Sequence, residues 1–200
     1  MTARHDTYHH GDLRAALLTA GEKILEESGI ANFSLRHVAR QVGVSHSAPA
    51  HHFGDAQGLL AALATDGFRR FLSAMRLRQR GAGDDPKNLL LASGLGYLDF
   101  ALAAPALFRL MFGDDRIKHP PLELLDAADA AFRHLASDIE RLRGVSPFVD
   151  LEAMADVMAA WSLAHGFAEL LIAGRMKPVQ EMNRAAQEAF FRSVFGRLIA

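Results

Sequence analysis

Residues 34–60 read SLRHVARQVGVSHSAPAHHFGDAQGLL. Leu35, Val38, Ala39 and Val42 recur at helical spacing, so one face of a short helix is apolar while Arg36, His37, Arg40 and Gln41 point outward. Gly43 breaks that helix, Val44 supplies an apolar plug, and Ser45 stands where an N-cap would start a second helix running to about His52. Two short helices joined by a tight glycine turn make a helix-turn-helix, in which the first braces the second and leaves its outer face free to enter a DNA major groove. Asp55, following Phe53-Gly54, is a further N-cap and opens a long helix with Leu59, Leu60 and Leu63 on its inner side.

Upstream of this stretch, residues 1–7 read as an arm carrying Arg4 and His5. From about His9 to Ser28, Leu13, Leu17, Ala20, Ile24 and Leu25 recur at threes and fours until Gly29 stops the helix, completing a three-helix bundle. Downstream, the helix from Asp55 keeps an apolar side through Phe68, Phe71, Leu72 and Met75 to about Arg80, and GAGDDP at 81–86 is a loop. Pro86 opens a helix to Ala103, Pro105 a short one to Phe112, and Pro120-Pro121 another with Leu122, Leu125, Phe132 and Ile139 on one side. Residues 148–174 are apolar around most of the circumference, which predicts burial on several sides. A last helix, 178–199, carries Phe190, Phe191, Val194, Phe195 and Leu198. No stretch alternates as a strand would, so the expected class is all-α: an N-terminal helix-turn-helix domain at 1–54 and a larger helical domain at 55–200.

Composition narrows the function. The chain has 200 residues and no cysteine, which excludes disulfides, thiolate metal sites and a cysteine nucleophile and fits a reducing cytoplasm. MTARHDTYHHGD lacks the apolar core of a signal peptide, and the most apolar run, Leu89 to Phe112, carries Asp99, Pro105 and Arg109, so no membrane span is expected. Net charge is -1, but residues 1–80 carry a small basic excess and seven of the ten histidines, whereas 81–200 are acidic. A mildly basic head on an acidic body suits a DNA-reading module joined to a partner-binding domain.

The run from Tyr8 to Phe53, with Phe33-Ser34-Leu35, Val38-Ala39, Val42-Gly43-Val44-Ser45 and His52-Phe53 in order, resembles the DNA-binding domain of the tetracycline-repressor (TetR) family. Trp161-Ser-Leu-Ala-His165-Gly166 is similar to the Trp/His/Gly signature of one C-terminal branch of that family. The resemblance implies a DNA-binding transcriptional regulator, a homodimer on a pseudo-palindromic operator, whose affinity a small molecule in the larger domain weakens. On the second short helix, Ser45, His46, Ser47, Ala50 and His51 form the outer face, with His52 beside them; hydroxyls and imidazoles there meet phosphates or base edges. Ser34, Arg36 and Arg4 of the arm are the expected phosphate contacts. Two departures from the family pattern stand out: Pro49-Ala50-His51 where an aromatic pair often precedes His-Phe, and Ala56 where a lysine often follows. Pro49, read as about the fourth residue of the helix, predicts that the helix starts tight or late.

An effector site is expected among Phe71 and Met75 of the long helix, Tyr97, Phe100, Phe108 and Met111 of the next two, Phe132, and Trp161 with His165. That set suits a small, mostly apolar molecule held by one or two hydrogen bonds to Tyr97 or His165. Phosphorylated ligands are disfavoured, since no basic cluster is visible in the sequence. Dimerisation is expected through the last two helices, with Phe191 and Phe195 in the contact. No cofactor or metal is expected: the clustered histidines lack ligand spacing, and no nucleophile or phosphate-cradling loop supports an enzyme. The alternative from a different class is a helical small-molecule-binding protein that no longer reads DNA.

Overall fold

The computed structural model describes residues 10–113 and 116–197, the first three by backbone alone. The regular structure among them is entirely helical: α1 (His10–Ser28), a 3-10 turn (Ile30–Asn32), α2 (Leu35–Val42), α3 (Ala48–Phe53), α4 (Ala56–Gln79), α5 (Pro86–Ala103), α6 (Pro105–Gly113), α7 (Leu122–Arg143), α8 (Leu151–Ile172), α9 (Lys177–Gln180) and α10 (Arg184–Gly196). Two compact units emerge, one of residues 1–67 with 106–124 and one of 68–105 with 125–200. Helix α4 contributes to both. Helix α6 is held in the first unit. Glu26 of α1 accepts hydrogen bonds from the Ala106 and Leu107 amides, Arg116 donates to the Ile30 carbonyl, and Gly67 leaves room for Met111.

In the first unit each boundary has a local cause. Ser34 caps α2 through the His37 amide at 3.3 Å; Gly43, at φ 77°, ends it with its own amide on the Ala39 and Arg40 carbonyls. Asp55 caps α4, accepting from the Gly58 amide at 2.8 Å, as expected from sequence. Leu17, Ile24 and Leu25 of α1, Val38 of α2, and Leu59, Leu60 and Leu63 of α4 make the buried core. Each such side chain contributes about 1.5–3 kcal/mol through burial.

The start of α3 corrects the sequence reading. Ser45 is not its cap: Ala48 donates to the Ser45 carbonyl at 3.1 Å in a tight turn, and the helix begins at Ala48. Pro49 is therefore the second helical residue and not the fourth. Its missing N–H would have found no helical acceptor there, and its ring is buried, so the proline starts the helix instead of damaging it.

The second unit surrounds α5, in which every residue from Ala92 to Leu98 is buried. Two glycines make this possible. A Cβ at Gly96 would stand 2.5 Å from the Ala74 carbonyl and the Met75 backbone of α4, and one at Gly94 would meet the Phe191 ring of α10 at 3.0 Å. Helix α7 buries Ile139 as expected, but Leu124, Ala127, Ala131 and Asp138 are buried beside it while Leu122 and Leu125 are exposed. The buried Asp138 carboxylate accepts from the Gln79 amide of α4 at 2.8 Å. The expected last helix is split by Met182, with Asn183 capping α10 through the Ala186 amide. Leu198 lies outside the described residues.

Candidate nucleic-acid interface and aromatic cluster

Three of the five residues expected on the outer face of this helix precede it: Ser45, His46 and Ser47 stand in the turn, and Ala50 and His51 lie on α3. All five are exposed, and His52 is half-buried. The Ser45 and Ser47 hydroxyls lie 3.2 Å apart at the entry to the helix. On α2, Arg36 and Arg40 are exposed one turn apart; Ser34 is exposed, its hydroxyl already engaged as the cap. Arg40 was read as outward-facing but not as a site residue, and the i, i+4 spacing with Arg36 is the signal that would have found it. Arg4 lies outside the described residues. This surface offers two guanidiniums, hydroxyls and imidazoles on a pair of short helices whose other sides are plugged by Val38, Ala39 and Pro49.

The expected effector residues divide between the two units. Phe108 and Met111 belong to the first, where Phe108 packs on Phe112 with ring centres 5.0 Å apart and Met111 lies against Gly67. In the second, Phe71 meets Tyr97 edge-on at 4.7 Å and Phe100 at 5.5 Å, and Phe132 meets Trp161 at 5.9 Å. Phe71, Met75, Tyr97 and Phe100 are buried; Phe132, Trp161 and His165 are half-buried. Tyr97 and His165, read as separate polar handles, are joined: the Tyr97 hydroxyl lies 2.7 Å from His165 Nδ1. Trp161 hydrogen-bonds to the same hydroxyl. Burial pushes the Tyr97 phenol well above its ordinary pKa, with the Trp161 hydrogen bond opposing it.

Behind this cluster, Arg78 of α4 forms a bidentate pair with Asp99 of α5, at 2.5 and 2.9 Å, and reaches Glu188 of α10 at 2.7 Å. Arg184 donates to Asp99 at 3.0 Å, so the network ties α10 to α4 and α5.

The family model for the tetracyclin repressor-like C-terminal domain matches residues 90–195, more than half of the chain, and that for bacterial regulatory proteins of the tetR family matches residues 17–63. The protein is a member of the TetR family. It is accordingly a DNA-binding transcriptional regulator and not an enzyme. Among relatives, it is 29% identical over 182 residues to the HTH-type transcriptional regulator BetI of Burkholderia cenocepacia (strain HI2424), covering 80% of this chain and 94% of that one. A solved structure of a protein with unknown function from Rhodococcus sp. RHA1 is 28% identical, with a TM-score of 0.81 over 98% of this chain and 97% of that one. A TetR variant from Acinetobacter baumannii AYE, solved in complex with minocycline, shares the fold at 19% identity and a TM-score of 0.60, over 98% and 95% of the two chains.

TetR-family regulators bind operators as dimers, and the second unit of this TetR-family chain exposes apolar side chains. Leu151, Met158 and Leu170 of α8 and Phe190 of α10 are exposed. Phe191 and Phe195, expected at an interface, are instead 0% and 1% exposed within a single chain, where they close over Gly94. Among the described residues no single helix is long and apolar enough to cross a membrane.

Proposed function

We propose that this TetR-family protein is a cytoplasmic, ligand-responsive repressor, with residues 1–54 reading DNA and 55–200 serving effector binding and dimerisation. The observation that carries the reading is the exposed surface formed by Ser45, His46 and Ser47 in the turn before α3 together with Ala50 and His51 on it, with Pro49 buried on the other side of the helix. Two copies of α3 in a homodimer enter successive major grooves of a pseudo-palindromic operator, with Arg36 and Arg40 on phosphates. The dimer forms along α8 and α10: Leu151, Ala155, Met158, Ser162, Gly166 and Leu170 recur at threes and fours down one side of α8 and leave it short of a partner. Gly166, with nothing within 4 Å of its added Cβ, allows a partner helix to approach closely.

The effector is a small, mostly apolar molecule that inserts among Phe71, Phe100, Phe132 and Trp161 and exchanges a hydrogen bond with the Tyr97–His165 pair. That pair, together with Trp161, supports the likeness to the Trp/His/Gly branch, since Trp161 and His165 are one turn apart and share one hydroxyl. Selection of duplexes from a random pool, followed by footprinting, tests the first half of this reading. Recovery of no enriched two-fold sequence would overturn it in favour of a binding protein without DNA recognition.

A further inference from the structure

Helices α4 and α7 form an open groove of about 530 Å³ lined by Arg76, Gln79, Arg133, His134, Ser137 and Arg141. Arg133 and Arg141 lie two turns apart on α7, and only the pairing with α4 brings Arg76 to them. The groove corrects the expectation that no basic cluster exists. Its lining includes none of the aromatic residues of the Tyr97 cluster.

From this groove we infer a second ligand site, one that takes a small organic or inorganic oxyanion, a carboxylate or a phosphate monoester. Three guanidiniums line it and no carboxylate does. The Arg76 side chain is exposed and makes no ion pair or hydrogen bond among the described residues. Arg133 meets Asp129 on the rim and lies over the Phe148 ring at 5.3 Å, and Arg141 reaches the buried Asp138 at 3.4 Å. Three positive charges against these two carboxylates leave an excess centred on Arg76. Asp138 itself is occupied by Gln79 and does not line the opening.

A second observation points the same way. The His134 side chain is 11% exposed, its Nε2 is buried without a hydrogen-bond partner, and Asp138 Oδ2 is too far at 3.8 Å to serve as one. A buried polar atom in a groove wall is costly unless something in the groove satisfies it. An anion oxygen accepting from Arg76 and from His134 Nε2–H satisfies both, and the Ser137 hydroxyl is available as a third donor. The volume suits a ligand of metabolite size. Because Arg76 and Gln79 belong to α4, which runs back to Ala56 behind the helix-turn-helix, occupancy offers a second input to the regulator, a role that rests on the function proposed above.

Calorimetric titration of the full chain without DNA, at fixed ionic strength, uses succinate, inorganic phosphate and neutral 1,4-butanediol as probes. Saturable binding of either anion and none of the diol is expected, and whichever anion binds more tightly identifies the natural class. Arg76→Gln, on an exposed side chain, is expected to keep the thermal unfolding midpoint and weaken that binding about tenfold, as for a lost hydrogen bond to a charged group. Ser137→Ala serves as a second variant, with a smaller loss. No saturable heat from either anion, or unchanged affinity in Arg76→Gln, overturns the site. Since no DNA is present, that failure leaves the regulator reading untouched, and a failed operator search leaves the anion titration intact.

Discussion

The Tyr97 hydroxyl and His165 Nδ1 are 2.7 Å apart, joining α5 to α8 through one hydrogen bond in the middle of an aromatic cluster. With Trp161 donating to the phenolic oxygen, the hydroxyl proton is directed to Nδ1, which leaves the imidazole proton on Nε2. Nitrogen chemical shifts of His165 should therefore report the Nε2–H tautomer. Tyr97→Phe should destabilise the chain by about 1–2 kcal/mol in urea unfolding, because it strands the half-buried Trp161 donor and His165 acceptor. It should also blunt the response to an apolar effector in DNA release. An effector response equal to that of the wild type would remove the pair from the ligand site.

Substitution of the two kinds of glycine separates packing from assembly. Gly96→Ala drives a Cβ to 2.5 Å from α4 backbone and should cost about 3 kcal/mol or more, or prevent folding. At Gly166 the added methyl meets nothing within a single chain, so Gly166→Ala should gain up to about 1 kcal/mol of helix stability. If α8 is the dimer seam, the same variant weakens self-association in sedimentation velocity, and an unchanged dimer would exclude Gly166 from the contact.

Introducing a charge at exposed and at buried apolar side chains should have divergent effects. Met158→Glu and Leu170→Glu are expected to yield folded monomers that no longer hold an operator at wild-type concentrations. Phe191→Glu places a carboxylate at a position 0% exposed and should unfold the chain. Circular dichroism with sedimentation distinguishes the two, and a folded, dimeric Leu170→Glu would count against the α8 interface.

On DNA, Arg36→Ala should weaken all duplexes alike and lower the slope of log affinity against log salt by about one. Ser47→Ala and His51→Ala should in addition alter which sequences are selected. Identical selected motifs for the wild type and both variants would place base reading elsewhere.

The network around Arg78 predicts a particular acid response. Its hydrogen bond to Glu188 holds that carboxyl below the ordinary range, with burial opposing. A carboxyl depressed in the folded state stabilises the fold above its unfolded pKa of about 4.3, and the gain is lost as pH falls through the lower folded value. Glu188→Gln should thus flatten the stability curve below about pH 4.5 and change it little in slope near neutrality. His134 has the parallel sign: burial lowers its pKa, so its contribution is complete above the ordinary value and declines as pH falls.

How much of this was readable from sequence depended on range. Gly43, Asp55 and Pro105 act on their own neighbours, and each ended or began a helix where their chemistry says it should. The start of α3 was misplaced because a six-residue helix has too few turns to show a period, and its register is fixed by burial of Pro49 against the rest of the bundle. Phe191 and Phe195 were correctly read as hydrophobic, but periodicity does not say whether a core residue meets its own chain or a partner; Gly94 answers that, from another helix. Tyr97 and His165 were found by type, whereas their mutual bond and the gathering of Arg76 with Arg133 and Arg141 are products of tertiary packing alone.

The first unit is discontinuous in sequence: α6 completes it, capped by Glu26 and seated on Gly67, although the second half of α4 and all of α5 are encoded in between. During synthesis the head therefore emerges from the ribosome with part of its surface uncovered and waits for residues 106–124 before it is whole. Two practical consequences follow for anyone recombining such regulators. A fragment cut after α4 leaves the Glu26 carboxylate and the Gly67 seat without α6, and a graft of this head onto a foreign body must carry α6 along or supply a replacement that fits both.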